Sequence, residues 1–181
     1  SCAHLREPTA SWPTGDPQEG IQVQALRILA GDRDPLTGLQ AYDGDDLFRL
    51  GFAAHKDGEY PRSSALFERF LEEFPEHPDV AAATWNLALG LEQLGQSREA
   101  AAAFQDYAGR VHEEEPGDAA RSWLRAAVLL QVVGDYEASR APVEGAGSYE
   151  ALERHESWEL RGLQAMVRAT DGDLDGAERE L

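Results

Sequence analysis

Residues 50–67, Leu50-Gly51-Phe52-Ala53-Ala54-His55-Lys56-Asp57-Gly58-Glu59-Tyr60-Pro61-Arg62-Ser63-Ser64-Ala65-Leu66-Phe67, decide how this chain folds. Around Gly58 a residue without a side chain, Gly51, precedes by seven positions, a small one, Ser63, follows by five, and a bulky apolar one, Phe67, follows by nine. The same spacing returns as Ala88, Gly95, Ala100 and Phe104, then as Ala127, Gly134, Ser139 and Val143, then as Ala165, Gly172, Ala177 and Leu181. The four turn glycines are 37, 39 and 38 residues apart. Repetition at this period is the signature of stacked supersecondary units.

The register describes a helical hairpin. Small residues on a first and a second helix let two antiparallel helices approach closely, and a glycine between them supplies the backbone freedom of a tight turn. Glu59, Asp135 and Asp173 follow three of these glycines, where a carboxylate at the start of the second helix complements the helix dipole and caps free N–H groups. Phe67, Phe104 and Val143 then fill the space between hairpins. In the third unit Pro142, followed by Gly145 and Gly147, interrupts the second helix, because proline lacks the N–H donor and clashes with the preceding turn. A kink or stop over 141–147 is expected, with a new helix from Tyr149.

These columns resemble the tetratricopeptide repeat family. Leu50-Gly51, Gly58, Tyr60, Phe67, Phe70 and Pro75 match its signature in the first unit, and Trp85-Asn86-Leu87-Ala88, Gly95, Ala100, Phe104 and Tyr107 in the second. Trp123, Ala127, Gly134-Asp135-Tyr136 and Ser139 match in the third, and Ala165, Gly172-Asp173-Leu174 and Ala177 in the fourth. The resemblance implies an all-α, right-handed α-solenoid of about three and a half helix-turn-helix repeats. The repeats fall near 45–77, 78–118, 119–156 and a truncated 157–181, within a repeat domain spanning 44–181. Their length exceeds the family's usual period of about 34, so longer inter-repeat loops are expected around Glu76–Ala81 and Glu113–Asp118.

Upstream, Ile21, Ala25, Ile28 and Leu29 form one apolar helical stripe, read as a capping helix followed by a loop within 21–43, although the alternation Ile21-Gln22-Val23-Gln24 also suits a short strand. Residues 1–20 are rich in Pro and Gly and read as a tether. Within them Ser1-Cys2-Ala3 resembles a processed bacterial lipobox, in which Cys2 carries the lipid. The run Phe67-Glu68-Arg69-Phe70-Leu71-Glu72-Glu73-Phe74-Pro75 is similar to a stretch common in periplasmic tetratricopeptide lipoproteins. Ala3, rather than Asp, suits outer-membrane sorting by the rule of that family.

The chain of 181 residues carries a net charge of −18, which repels a phosphate backbone and excludes nucleic-acid binding through a basic footprint. No apolar run is long enough to span a bilayer, so membrane contact is expected only through a lipidated Cys2. That single cysteine also excludes an internal disulfide and a multi-thiolate metal site. His4, His55, His77, His112 and His155 are scattered, with no metal-binding pair at helical spacing, and no nucleophile elbow, phosphate loop or dinucleotide fingerprint is present. No cofactor, metal or catalytic residue is expected. Asp171-Gly172-Asp173-Leu174-Asp175-Gly176 opens like a calcium loop, but the inter-helix turn already accounts for Gly172, Asp173 and Ala177.

In the family that this chain resembles, the first helix of each hairpin lines a groove that holds a peptide or partner helix. Carried onto this sequence, the groove is lined by Phe48, Phe52 and His55, by Trp85, Asn86 and Leu89, and by Arg121, Arg125 and Val128. Asn86, Arg121 and Arg125 occupy places where some members grip a C-terminal carboxylate, while Phe48 and Phe52 replace that clamp's first-repeat partners. The alternative is that Phe48 and Leu89 pack between helices and that the two arginines pair with local carboxylates such as Asp118. The function expected is a non-catalytic interaction scaffold, lipid-anchored at the bacterial outer membrane and facing the periplasm, assisting assembly of an outer-membrane, secretion or pilus complex. A cytoplasmic adaptor, or the interaction portion of a larger enzyme whose pattern is still running at Leu181, are the alternatives.

Overall fold

A computed structural model describes Leu5 and residues 42–181. The described part of the chain contains α1 (Gly44–Lys56), α2 (Tyr60–Glu73), α3 (Val80–Gln93), α4 (Ser97–Val111), α5 (Pro116–Val132), α6 (Arg140–Gly147), α7 (Arg154–Thr170) and α8 (Leu174–Glu180), and no strand. The helices pair in sequence, and each pair stacks on the next, so the fold is an α-solenoid. The tether and capping helix assigned to 1–41 lie outside the described residues, Leu5 apart.

All four turn glycines adopt the left-handed backbone expected of them, with φ of 77°, 72°, 77° and 80° at Gly58, Gly95, Gly134 and Gly172. The small columns are interior. Ser63 Oγ donates to Gly51 O at 2.9 Å, which ties the two helices of the first hairpin at their closest approach. A Cβ at Gly51 would stand 3.1 Å from the Phe67 ring, so the absent side chain is what seats that ring. Phe67 and Phe104 are fully buried and Val143 nearly so, whereas Leu181, the fourth member of that column, is exposed at 77%.

The third unit departs from the expected geometry. Its second helix begins at Arg140, so Pro142 falls in the first turn, where a missing N–H removes no intrahelical bond. Turns over 136–139 precede it, and it closes at Gly147. Gly145 has a packing reason: a Cβ there would lie 2.6 Å from the Trp123 ring. The next helix starts at Arg154 rather than at Tyr149, because Glu153 and Glu156 form a reciprocal capping box that sets its first turn. The inter-unit loops begin slightly earlier in the chain than the expected stretches Glu76–Ala81 and Glu113–Asp118. They run over 74–79 and 112–115, with Pro116 opening α5 as a helix-initiating residue.

Candidate functional site

The first helices of the hairpins, α1, α3, α5 and α7, carry the residues assigned to a groove. The fold separates them into interior and surface members. Phe48 is 1% exposed, set edge-on against Phe67 and Phe70 at 5.5 and 5.8 Å. Asn86 is wholly buried and Leu89 nearly so. These three are therefore interior, Phe48 against α2 and Leu89 in a buried cluster with residues of α4 and α5. Phe52, His55, Trp85, Arg125 and Val128 are half-buried and Arg121 is exposed, so these six remain available at the surface.

Trp85 leans on the second helix of its own hairpin, edge-on to Phe104 at 5.3 Å and tilted against Tyr107 at 5.0 Å. Lys56 places Nζ 5.0 Å from the centre of the Phe52 ring, a cation–π contact at one end of the face. The His55 ring stands edge-on to Tyr60 at 5.0 Å. Its Nδ1 is buried with no hydrogen bond among the described residues, as is Ser64 Oγ. Burial pushes the His55 pKa below its ordinary value. Gly90 makes room for this pair, since a Cβ there would sit 2.7 Å from Ser64 Oγ and 3.9 Å from His55 Nδ1.

The two arginines differ. Arg121 pairs within its own helix with Asp118. Arg125 instead crosses to α3 and grips Glu92 with Nε at 2.7 Å and Nη2 at 2.9 Å, while its guanidinium lies 5.3 Å from the Phe104 ring centre. Local pairing thus accounts for Arg121, and a bond between units accounts for Arg125. Neither is a bare cation awaiting a carboxylate.

Two contributors to this face escape a reading based on single matches. Six residues before each turn glycine stand Phe52, Leu89, Val128 and Met166, one apolar residue on each first helix. Met166 is 44% exposed, and Val132, one helical turn after Val128, is 77% exposed. The spacing that identifies the hairpins would have located Met166, because it is the fourth member of a column whose other three were singled out. Val132 breaks its own column, which holds Lys56, Gln93 and Thr170 elsewhere, so no periodic signal pointed to it.

Among the described residues, Asp45, His77 and Asp79 bring potential cation ligands within 4.8 Å of one another. The hydrogen bonds favour another use. His77 Nδ1 accepts from Asp79 N–H at 3.2 Å, which leaves the ring proton on Nε2, facing Asp45 Oδ1 at 3.3 Å. A cation at Nε2 would have to displace that proton and break the Nδ1 bond. The arrangement instead fastens the start of α1 to the loop before α3, and Gly44 permits it: a Cβ there would lie 2.8 Å from His77 Cδ2. At the other end of the chain, Asp171 binds Arg140 of α6 through both guanidinium nitrogens, which lowers its pKa. Asp173 caps Gly176 N at 2.9 Å. Two of the three carboxylates of the calcium-like stretch, Asp171 and Asp173, thus serve the neighbouring unit and the turn.

No family model and no curated protein matches the chain. Solved structures do. MamA AMB-1 is 21% identical with a TM-score of 0.59, over 90% of this chain and 80% of its own. MamA MSR-1 is 20% identical with a TM-score of 0.55, over 90% and 84%. MamA from Desulfovibrio magneticus RS-1 is 16% identical with a TM-score of 0.51, over 90% and 89%. The shared feature is the tetratricopeptide-like helical solenoid.

Proposed function

We propose that this protein is a non-catalytic scaffold that binds a partner polypeptide along the face formed by its first helices. The observation that carries this reading is the set Phe52, Val128 and Met166, surface apolar residues at one register position on α1, α5 and α7, extended by the exposed Val132; Leu89, which holds that position on α3, is interior. An extended segment with apolar side chains fits such a face, since α1, α5 and α7 each offer an apolar contact. The rim is charged but internally compensated through Arg125–Glu92 and Arg121–Asp118. Affinity is therefore assigned to the apolar contacts, and the ion pairs hold the units in register. The solenoid resemblance to MamA supports the fold on which this reading stands.

The finer assignment is a lipid-anchored protein of the bacterial envelope, facing the periplasm and serving assembly of an outer-membrane, secretion or pilus complex. Ser1-Cys2-Ala3 and the run from Phe67 to Pro75 support it by resemblance. Cys2 lies outside the described residues.

A photo-crosslinking residue at position 166 tests the face, with one at the exposed Glu144 of α6 as control. The expected outcome is a discrete protein adduct from position 166 that Val132→Asp removes. Equal adducts from both positions would overturn the assignment. Incorporation of radiolabelled palmitate tests the anchor, and a Cys2→Ser chain gives the baseline.

A further inference from the structure

The fourth unit inverts two size columns. Fourteen residues before the turn glycine the first three units place Gly44, Ala81 and Ala120, and the fourth places Trp158. Ten residues before it they place Phe48, Trp85 and Leu124, and the fourth places Gly162. Trp158 is 58% exposed, the only exposed aromatic side chain among the described residues. A Cβ at Gly162 would meet nothing within 4 Å. Trp158, Gly162 and Met166 follow one another at four-residue steps on α7, so they share one side of the helix. That side is an apolar notch, open at Gly162 and bounded by an indole one turn before it and a thioether one turn after.

The charges around the notch are unlike those of the other units. Residues 42–181 carry 29 Asp+Glu against 13 Lys+Arg, and nine of those 13 basic side chains are ion-paired with a carboxylate of the described residues. The other four, Lys56, Arg154, Arg161 and Arg179, form no ion pair among the described residues, and three of these four lie on α7 and α8. Arg154 and Arg161 stand four residues before and three after Trp158, on its side of α7, and both are exposed. The Arg161 guanidinium lies 5.5 Å from the indole ring centre, a cation–π contact that leaves its N–H donors unspent. Glu159, next to Trp158 in sequence, is turned about 100° round the helix. We propose that α7 is the selective end of the partner face. It takes an acidic polypeptide segment with one bulky apolar side chain, which seats on Gly162 between Trp158 and Met166 while flanking carboxylates reach Arg154 and Arg161. This rests on the reading of the first-helix face as the partner site and gives that site its chemistry. Tryptophan and arginine concentrate binding energy at interfaces, and complementary charge decides which partner is accepted.

The test uses the full chain and an amidated pentapeptide of four aspartates around a central phenylalanine. The peptide should bind, shifting the indole N–H resonance of Trp158 and the amide of Gly162 and leaving the amides of α1 unmoved. Arg154→Glu/Arg161→Glu should weaken binding about tenfold or more, as should alanine at the centre of the peptide. Gly162→Leu fills the notch and should abolish binding with thermal stability undiminished, since a helical glycine gives way to a better helix former. Equal binding by a peptide with lysine in place of aspartate would overturn the proposal, as would binding unchanged by the arginine substitutions or shifts that spare α7. No peptide binding with the position-166 adduct intact would overturn the acidic assignment alone. Peptide shifts at Trp158 and Gly162 with no position-166 adduct would sustain the notch and overturn the face along the units.

Discussion

Arg125 on α5 and Glu92 on α3 are 33 residues apart in sequence and form a two-point ion pair, with N–O distances of 2.7 and 2.9 Å. Both side chains are largely covered, and the guanidinium also lies on the Phe104 ring. The planar fork of arginine meets both carboxylate oxygens at once, a geometry that lysine cannot reproduce. The pair ties the first helices of the second and third units. A double-mutant cycle with Arg125→Ala and Glu92→Ala should give a coupling of about 1 kcal/mol, measured by urea unfolding. Arg125→Lys should recover less than half of it. Additive single losses would show that the two units are held by apolar packing alone.

Phe67 and Gly51 are complementary in shape. Phe67→Ala should cost about 3–5 kcal/mol, the usual loss for a fully buried phenylalanine. Gly51→Ala drives a methyl group onto the ring, at 3.1 Å before relaxation, and should cost about 1–3 kcal/mol by overpacking. The diagnostic quantity is their combination. In a Gly51→Ala/Phe67→Leu chain the methyl has room, so the double variant should be more stable than the sum of the two single losses implies. Strict additivity in thermal unfolding would mean that the two positions do not share one packing site.

Much of this architecture could be read from the chain because the hairpin has one steric requirement at each end and one at its turn. A glycine that must adopt positive φ and small residues that must sit beneath a bulky ring leave periodic marks, and the repeat from Gly51 to Phe67 carries them all. The third unit was harder to read because its features are local. Pro142 is harmless once α6 begins at Arg140, and the start of α7 depends on a capping box between Glu153 and Glu156 that no column announces. For the residues assigned to a groove, register gives the helix each lies on but not the depth of its side chain. Phe48 is interior because Phe67 and Phe70 of its own hairpin cover it, and Asn86 is buried as well. The partner of Arg125 is likewise a matter of tertiary contact, since Glu92 lies on another helix. Of the residues that carry the resemblance to periplasmic lipoproteins, Ser1-Cys2-Ala3 lie outside the described residues, whereas Phe67 and Phe70 have a packing role in the first unit.

Glycine positions separate turn from helix. Gly95 sits at φ 72° with open space around it, so its Cβ would meet no neighbour and only backbone strain is at stake. Gly95→Ala should destabilise by about 1–2 kcal/mol, the cost of a left-handed L-residue. Gly162, inside α7, also has open space but keeps a helical backbone. Gly162→Ala should stabilise by about 0.5–1 kcal/mol through lower chain entropy in the unfolded state. Opposite signs in the two melting temperatures check the assignment.

His55 gives the fold a pH dependence of definite sign. Burial lowers its pKa from the model-compound value of 6.5, so the unfolded chain takes up a proton at this site more readily than the folded one. Above pH 6.5 the ring is neutral in both states and contributes no difference. As pH falls below 6.5 the unfolded state gains the proton first, and stability declines until the folded ring is protonated too. The carboxylates with lowered pKa, Asp135 and Asp171, titrate at lower pH and leave this window to His55. Between pH 7 and pH 5, urea unfolding of the wild type should show falling stability, and His55→Gln should flatten that slope. Nδ1 is buried without a hydrogen bond among the described residues, so a charge on the ring is poorly solvated there. An unchanged slope in the variant would assign the acid sensitivity to the other histidines.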